Sequence, residues 1–191
     1  HSYWACQRLS DYWALAKPRL VSLVLCSTMV GYYLALRSTS SDFSRCFLTL
    51  LGSALSAAGS MALNQWMEIE QDAQMKRTAL RPLPAKKLAP QQAFWFGTVL
   101  CVLGIAVLAF WVTPLAGFIS ALTIAVYLLC YTPLKMKTIH STLVGAIPGA
   151  LPPVLGWAAV RNSVNAEALI LFGIIFLWQI PHFLAISWMY R

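Results

Sequence analysis

The chain has 191 residues, of which 59% are hydrophobic and only 10% are charged, and its formal net charge is +8. A soluble domain of this length needs a charged surface, and the 14 cationic and 6 acidic residues present cannot cover one. The composition therefore excludes a soluble globular protein. It also argues against nucleic-acid binding, which needs a basic surface exposed to water.

Apolar runs of about 20 residues, the length that crosses a bilayer as a helix, recur along the chain. They predict one all-α membrane domain over 1–191, because lipid requires each segment to satisfy its own backbone polar groups. The six expected spans are 20–36, 44–66, 93–112, 114–131, 142–160 and 167–188.

Lysine and arginine are unevenly distributed about these spans. Of the 14, 11 fall on the side that holds the N-terminus and the loops 67–92 and 132–141. They are Arg8, Lys17, Arg19, Lys76, Arg77, Arg81, Lys86, Lys87, Lys135, Lys137 and Arg191. The positive-inside rule places this side in the cytoplasm of a bacterium or the matrix of a mitochondrion.

Acidic residues cluster where the second span ends. Asn64, Glu68 and Asp72 are spaced i, i+4, i+8, which places them on one helical face. Each charge at bilayer depth would cost about 2.5 to 3.5 kcal/mol, so a compensating cation is expected. Mg²⁺ suits these oxygen ligands, because it typically takes one or two carboxylates and completes its shell with water and substrate phosphate.

A basic run follows the carboxylates at once. Arg77, Thr78 and Arg81 supply two guanidinium forks and a hydroxyl, and Pro82 is expected to end the helix. Guanidinium groups match phosphate oxygens in bidentate geometry. Carboxylates for a metal beside arginines for phosphate predict a site for a diphosphate.

The same cluster has a plainer interpretation. The helix could simply emerge into water, with Asp72 and Lys76 forming an ordinary i, i+4 surface pair.

Tyr131 and Lys135 are four residues apart and share a face if the fourth helix reaches that far. Pro133 is expected to end that helix earlier. The residues alone also fit an interfacial tyrosine with a lysine that extends its amine to the membrane surface.

Two histidines fall in or near the spans. His182 lies inside an apolar span, where an ionisable residue is a functional candidate by default. Because Pro181 frees a backbone carbonyl, His182 could serve as a hydrogen-bonding group at a kink. It could equally be an axial ligand of heme iron or a partner of a heme propionate. His140 lies in a short basic loop, at the membrane interface.

Five stretches occur in a recognisable order. They are Asp11-Tyr12 with Lys17-Pro18-Arg19, Asn64 to Leu83, Tyr131-Thr-Pro-Leu-Lys135, Gly145 to Pro153 with Gly156-Trp157, and Trp178-Gln-Ile-Pro-His182-Phe183. Together they resemble the UbiA superfamily of intramembrane prenyltransferases, whose first acidic motif matches the second stretch. The run from Met75 to Leu83 resembles the branch of that superfamily that farnesylates heme.

This resemblance implies a UbiA-like helical bundle of about nine spans, of which this chain carries the N-terminal two thirds without the second acidic motif. It implies Mg²⁺-dependent transfer of a farnesyl group from farnesyl diphosphate to a vinyl group of heme B, giving heme O for terminal oxidase assembly. A chain lacking the second motif is expected to be inactive alone. Heme A synthase or terminal oxidase assembly proteins are the implied protein partners, and the bacterial or mitochondrial inner membrane is the implied location.

The resemblance also implies roles for single residues. Asn64, Glu68 and Asp72 are the metal ligands; Arg77, Thr78, Arg81 and Lys135 bind diphosphate; Tyr131 lies near the reacting allyl group; and Trp178, His182 and His140 contact heme. Two other functions stay open: prenyl transfer to another aromatic acceptor, and a non-catalytic membrane scaffold or transporter fragment.

Overall fold

The computed structural model describes residues 2–36, 42–135 and 141–189. All regular structure in these ranges is helical. The α-helices are α1 (Ser2–Ala16), α2 (Pro18–Ala35), α3 (Phe43–Met67), α4 (Ile69–Gln74), α5 (Pro90–Ala106), α6 (Pro114–Ala125), α7 (Thr132–Leu134), α8 (Ser141–Arg161) and α9 (Ala166–Met189). Two π-helical segments, Val107–Val112 and Val126–Tyr131, extend α5 and α6.

Six helices among the described residues are long and apolar enough to cross a membrane. They are Pro18–Ala35, Phe43–Met67, Pro90–Val112, Pro114–Leu134, Ser141–Arg161 and Ala166–Phe183. The predicted fold class, an all-α polytopic bundle, is confirmed.

Proline opens three of these six spans, at Pro18, Pro90 and Pro114. The first residue of a helix has no intrahelical partner for its N–H, so a proline there costs nothing and pre-sets the backbone angle. Before Pro114, the side chain of Thr113 accepts a hydrogen bond from the Ala116 N–H and caps α6. This cap gives the tight turn that joins α5 to α6.

The helices α2 and α8 approach so closely that their backbones are in contact. A Cβ atom added at Gly31 would overlap the carbonyl of Pro153, and one added at Gly156 would overlap the carbonyl of Thr28. Small residues allow this approach, which gives dispersion contacts where lipid offers no hydrophobic driving force. The helix α8 is the most buried of the six spans and packs on α2, α6 and α9, forming the centre of the bundle.

The expectation that Pro133 ends the fourth span is wrong. The π-helical segment ends at Tyr131, and helical structure continues through Pro133 to Leu134. The Thr132 N–H bonds the carbonyl of Tyr127, five residues back, and the Lys135 N–H bonds the carbonyl of Tyr131 at 2.9 Å. A π-helical turn is wider than an α-turn, which relieves the clash that a proline ring makes with the preceding turn.

Candidate functional site

The acidic cluster lies at a break between two helices. The helix α3 ends at Met67, Glu68 adopts a non-helical conformation (φ −103°, ψ 16°), and α4 begins at Ile69. The i, i+4 backbone bonds nevertheless persist, from the Glu68 N–H to Asn64 at 3.1 Å and from the Asp72 N–H to Glu68 at 2.8 Å. The side chains of Asn64, Glu68 and Asp72 are all buried.

Glu68 is paired with the lysine of the Tyr131–Lys135 motif. The Lys135 Nζ donates to both carboxylate oxygens of Glu68, at 3.1 and 3.2 Å. One turn earlier, the Asn64 Nδ2 donates to the Thr132 Oγ1 at 3.1 Å. The two stretches, 67 residues apart in the chain, therefore meet at one site.

Asp72 is paired with an arginine of the basic run. The Arg81 Nη1 donates to the Asp72 Oδ2 at 2.6 Å, and Asp72 is only 4% exposed. Lys76 is exposed and does not take this carboxylate, so the interpretation of Asp72 and Lys76 as a surface pair is wrong. The carboxylate is buried because the chain after α4 folds back and brings Arg81 over it.

This fold-back depends on Thr78. The helix ends at Gln74, not at Pro82 as expected, and the Thr78 Oγ1 donates to the backbone carbonyl of Asp72 at 2.8 Å. That carbonyl is one of the four that a helix leaves without partners at its end. The buried Thr78 hydroxyl thus fixes the turn, while Arg77 beside it is exposed.

A further cation, Lys17, is half-buried near this cluster and was not expected there from the sequence. It lies between α1 and α2 in a left-handed conformation. Burial lowers the pKa of its amine to about 8, with smaller effects from the charges of Arg81, Glu68, Asp72 and Lys135. The signal that could have found it is its place in the Lys17-Pro18-Arg19 stretch, directly before a span.

An apolar cavity of about 790 Å³ opens within the bundle, between α2, α3, α6, α8 and α9. Its lining includes Ser60 and Met61 of α3 and Tyr131 of the π-helical segment. Met61 precedes Glu68 by seven residues, or about 10 Å along a helix axis. The charged cluster therefore lies just beyond one end of the cavity.

Two tyrosines stand between the cavity and the charges. The rings of Tyr127 and Tyr131 are stacked, with centroids 5.6 Å apart and planes at 18°. The Tyr127 hydroxyl contacts the Met61 sulfur at 3.6 Å. Tyr131 was expected at this site, whereas Tyr127 was missed, because a tyrosine inside an apolar span carries no signal of its own.

The hydroxyl groups that line the cavity are mostly engaged. Thr28, Ser60 and Thr123 each donate to a carbonyl of their own helix. The buried Ser53 Oγ has no partner among the described residues. The wall is therefore less polar than its serines and threonines indicate, as an apolar ligand requires.

The aromatic end of α9 forms another part of the wall. The rings of Trp178 and His182 are stacked at 4.9 Å and 13°, and both residues line the cavity. The helix continues through Pro181, and among the described side chains His182 makes no hydrogen bond. His140 lies outside the described residues, as does everything between 136 and 140.

The donor chemistry at the cluster fits a hard divalent cation. No group of three His, Cys, Asp or Glu side chains that could hold a metal occurs among the described residues. The chain thus offers two buried carboxylates, Glu68 and Asp72, and the amide of Asn64. This set suits Mg²⁺, which takes few protein ligands when substrate phosphates complete its shell.

The chain is a multi-pass membrane protein with an internal ligand site. Its membrane-spanning helices enclose a cavity, and a charged cluster with two buried carboxylates lies at one end of that cavity. Residues 24–191 match the UbiA prenyltransferase family. The chain belongs to that family.

Known relatives are similar over most of this chain. It is 46% identical to "Protoheme IX farnesyltransferase" from Solibacter usitatus (strain Ellin6076), over 96% of this chain and 65% of that protein. The protein with this name from Opitutus terrae is also 46% identical, over 96% and 62%. The mitochondrial protein from Homo sapiens is 41% identical, over 91% and 39%. The chain thus spans less than two thirds of the length of these relatives.

A solved structure of digeranylgeranylglyceryl phosphate synthase has a TM-score of 0.78 to this chain, covering 91% of it and 60% of that protein. The sequences are only 19% identical. This likeness supports the fold alone.

Proposed function

We propose that the protein transfers a farnesyl group from farnesyl diphosphate to a vinyl group of heme B, giving heme O and diphosphate. The observation that carries this proposal is a pair of buried carboxylates, each paired with a partly exposed cation, at the end of an apolar cavity. The substrate it fits has a hydrocarbon chain and an anionic head. The names of the relatives supply heme as the acceptor.

The charged cluster takes the head of farnesyl diphosphate. Asn64, Glu68 and Asp72 would hold Mg²⁺, which would neutralise the charge of the leaving diphosphate when bound. Arg81 and Lys135 bind the phosphate oxygens. Breaking the carbon–oxygen bond adds negative charge to the diphosphate, so these cations stabilise the transition state more than the ground state.

Other residues around the head have supporting roles. Arg77 is exposed and meets the diphosphate from the water side. Thr78 acts through the turn that it fixes, because its hydroxyl is engaged by the Asp72 carbonyl.

The tyrosines and the cavity bind the apolar parts of the two substrates. Tyr131, stacked on Tyr127, presents aromatic surface to the allylic carbon, and such a surface stabilises a developing cation. Trp178 and His182 contact the heme, and His140 is proposed to do so from its loop. The farnesyl carbon bonds to the vinyl group, and water then supplies the hydroxyl of the product and releases a proton.

The proposed setting follows from the same assignments. The protein works in the bacterial or mitochondrial inner membrane, with the charged cluster on the cytoplasmic or matrix side. Heme A synthase and terminal oxidase assembly proteins are the proposed partners, since they use the product.

The test uses the full-length protein in lipid nanodiscs with heme B and farnesyl diphosphate, with and without Mg²⁺. Mass spectrometry should detect heme O only when Mg²⁺ is present. Asp72→Asn should abolish the product while the protein stays folded by circular dichroism and still binds heme, although loss of the pair with Arg81 lowers its unfolding temperature. Glu70→Gln is the matched control, because Glu70 is exposed two residues away.

Two results would overturn this proposal. A protein that does not bind heme but prenylates a hydroxybenzoate acts on another aromatic acceptor. If Asp72→Asn leaves the activity unchanged, the cluster is not catalytic. It would then be a solvated helix end in a scaffold or transporter.

A further inference from the structure

Gln179 places a buried amide in the wall of the apolar cavity. It lies on α9, is only 8% exposed and lines the cavity. Among the described residues its amide makes no hydrogen bond, whereas the hydroxyls of Ser60 and Thr123 in the same wall each donate to a carbonyl of their own helix. A buried polar group without a partner costs about 1 to 3 kcal/mol. A ligand that bonds this amide would regain that energy.

The amide of Gln179 lies against α8 at a glycine. A Cβ atom added at Gly149 would overlap both the oxygen and the nitrogen of the amide, so a larger residue would displace it. One turn earlier on α8, a Cβ atom added at Gly145 would overlap the ring of Tyr131. The amide and the ring therefore contact α8 at positions one turn apart, or about 6 Å along its axis.

The backbone of α8 adds carbonyl oxygens that its own helix does not use. Pro152 and Pro153 lie inside α8, and a proline has no N–H to donate. The carbonyl of Gly149 therefore has no donor at the third or the fourth residue after it, and the carbonyl of Pro148 has none at the fourth. Pro148, Gly149 and Pro152 all line the cavity. At this level the wall thus combines a free amide with free acceptors.

This group of polar atoms fits a water molecule. Buried water makes about three hydrogen bonds to polar groups that lack other partners. Here the amide of Gln179 can donate and accept, and the carbonyls beside it can accept. The residues that line the cavity in the described part of the chain include no Asp, Glu, Lys or Arg, which argues against an ion at this position.

We propose that Gln179 and the neighbouring α8 carbonyls bind the water molecule that becomes the hydroxyl of the product. The inference rests on the proposed function, because addition to a vinyl group consumes such a water. The π electrons of the vinyl group form the new bond to the allylic carbon and leave a positive charge on the inner vinyl carbon. The water oxygen bonds to that carbon, and one of its protons passes to the diphosphate, which left with the electrons of the broken carbon–oxygen bond.

The position of Gln179 suits the order of these two bonds. Tyr131 is proposed to face the allylic carbon, and the carbon that takes the hydroxyl is two bonds further on. A water held one helical turn from the Tyr131 ring lies beyond the allylic carbon, on the side of the acceptor. Holding it there keeps it from the allylic cation, which free water would convert to farnesol.

The first experiment analyses the products of the full-length protein in nanodiscs with heme B, farnesyl diphosphate and Mg²⁺ by mass spectrometry. In water enriched in ¹⁸O, heme O from the wild type should carry the label. Gln179→Met keeps the length of the side chain but cannot bond water, so the cation should lose a proton instead. The ratio of this dehydrated product, lighter by one water molecule, to heme O should rise about tenfold, as expected from the loss of one or two hydrogen bonds.

Three further variants complete the test. Thr123→Val is the matched control, because its hydroxyl lines the same cavity but is already engaged by the Ile119 carbonyl, and its product ratio should match the wild type. Gly149→Ala displaces the amide without removing it, and it should raise the ratio even if Gln179→Met does not fold. Gln179→Glu keeps an oxygen acceptor at the same length and should restore most of the heme O. Circular dichroism and the heme absorption spectrum show which variants are folded and bind heme.

The outcomes separate this inference from the proposed function. If heme O carries no ¹⁸O, or if Gln179→Met and Gly149→Ala both keep the wild-type ratio, the inference fails while the proposed function stands. If Gln179→Met loses both products equally, the amide binds a substrate or packs against another part of the protein, and the inference is overturned. If the wild type forms no farnesylated heme, the inference and the proposed function both fail.

Discussion

The carboxylate of Glu68 has a protein partner before any metal binds. Glu68 is almost fully buried, whereas the Lys135 side chain is 41% exposed, so the pair is asymmetric. Loss of Lys135 leaves the buried Glu68 carboxylate without a partner, whereas loss of Glu68 leaves a lysine whose amine can still be solvated by water. The protein therefore needs Lys135 for stability as well as for the proposed chemistry.

A double-mutant cycle tests this asymmetry. Lys135→Met should destabilise the metal-free protein by about 1 to 3 kcal/mol, because it leaves Glu68 buried without a partner. Adding Glu68→Gln should restore much of that loss. Thermal unfolding in nanodiscs measures both, with Lys86→Met as the control; equal losses in the single and double variants would refute the dependence on Lys135.

Lys17 should make stability depend on pH. Its pKa is about 8 in the folded chain and about 10.4 in an unfolded one, so the native state binds fewer protons between these values. The free energy of unfolding therefore rises with pH from about 8 to 10.4, and the cost of burying the charge is fully present below pH 8. Lys17→Met should be the more stable protein at pH 7, with its advantage shrinking towards pH 10.

Thermal unfolding of both proteins at pH 7, 8, 9 and 10 gives this difference directly. Other titrating groups are common to the two proteins and cancel. A difference that stays constant across this range would show that the Lys17 amine is not withdrawn from water.

At the scale of the helices, the contact between α2 and α8 is the tightest feature. Gly156→Ala should destabilise the protein by about 2 kcal/mol or more, because the new methyl group meets the Thr28 backbone, which cannot move as a side chain can. Gly173→Ala on α9 is the matched control, since a Cβ there meets nothing within 4 Å. Thermal unfolding compares the two, and similar values would contradict the close approach.

Hydropathy and proline positions in the sequence predicted which segments are helical better than they predicted where each helix ends. Hydropathy identified the spans, but Pro133 and Pro82 were both misread as helix ends. Pro133 is accommodated by a π-helical turn, and the helix before Pro82 ends eight residues earlier because the Thr78 hydroxyl captures a free carbonyl. Neither device has a sequence signature as strong as proline itself.

At the scale of the whole molecule, the charge distribution predicts sidedness. In a variant lacking the five native cysteines, Lys86→Cys should be labelled by a membrane-impermeant maleimide only from the cytoplasmic or matrix side. Ser163→Cys, in the exposed loop between α8 and α9, should be labelled only from the opposite side. The reverse pattern would overturn the assigned topology.

The site could be predicted only in part. The spacing of Asn64, Glu68 and Asp72 placed three oxygen-bearing side chains together, since i, i+4 spacing is a local property of a helix. The pairing of Glu68 with Lys135 joins residues 67 positions apart, and the position of Lys17 depends on how α1 docks. Tertiary contacts of this kind have no local pattern from which to read them.

The break at Glu68 has a further consequence. It ends α3, but helical bonding runs on to Gln74, where the aligned peptide dipoles leave about half a unit of negative charge close to Asp72. Added to Glu68 and Asp72, this dipole slightly outweighs the positive charges of Arg81 and Lys135. A diphosphate without a bound cation would gain little electrostatic stabilisation at a site whose charges nearly cancel. A diphosphate that arrives with its own bound cation is therefore the better ligand.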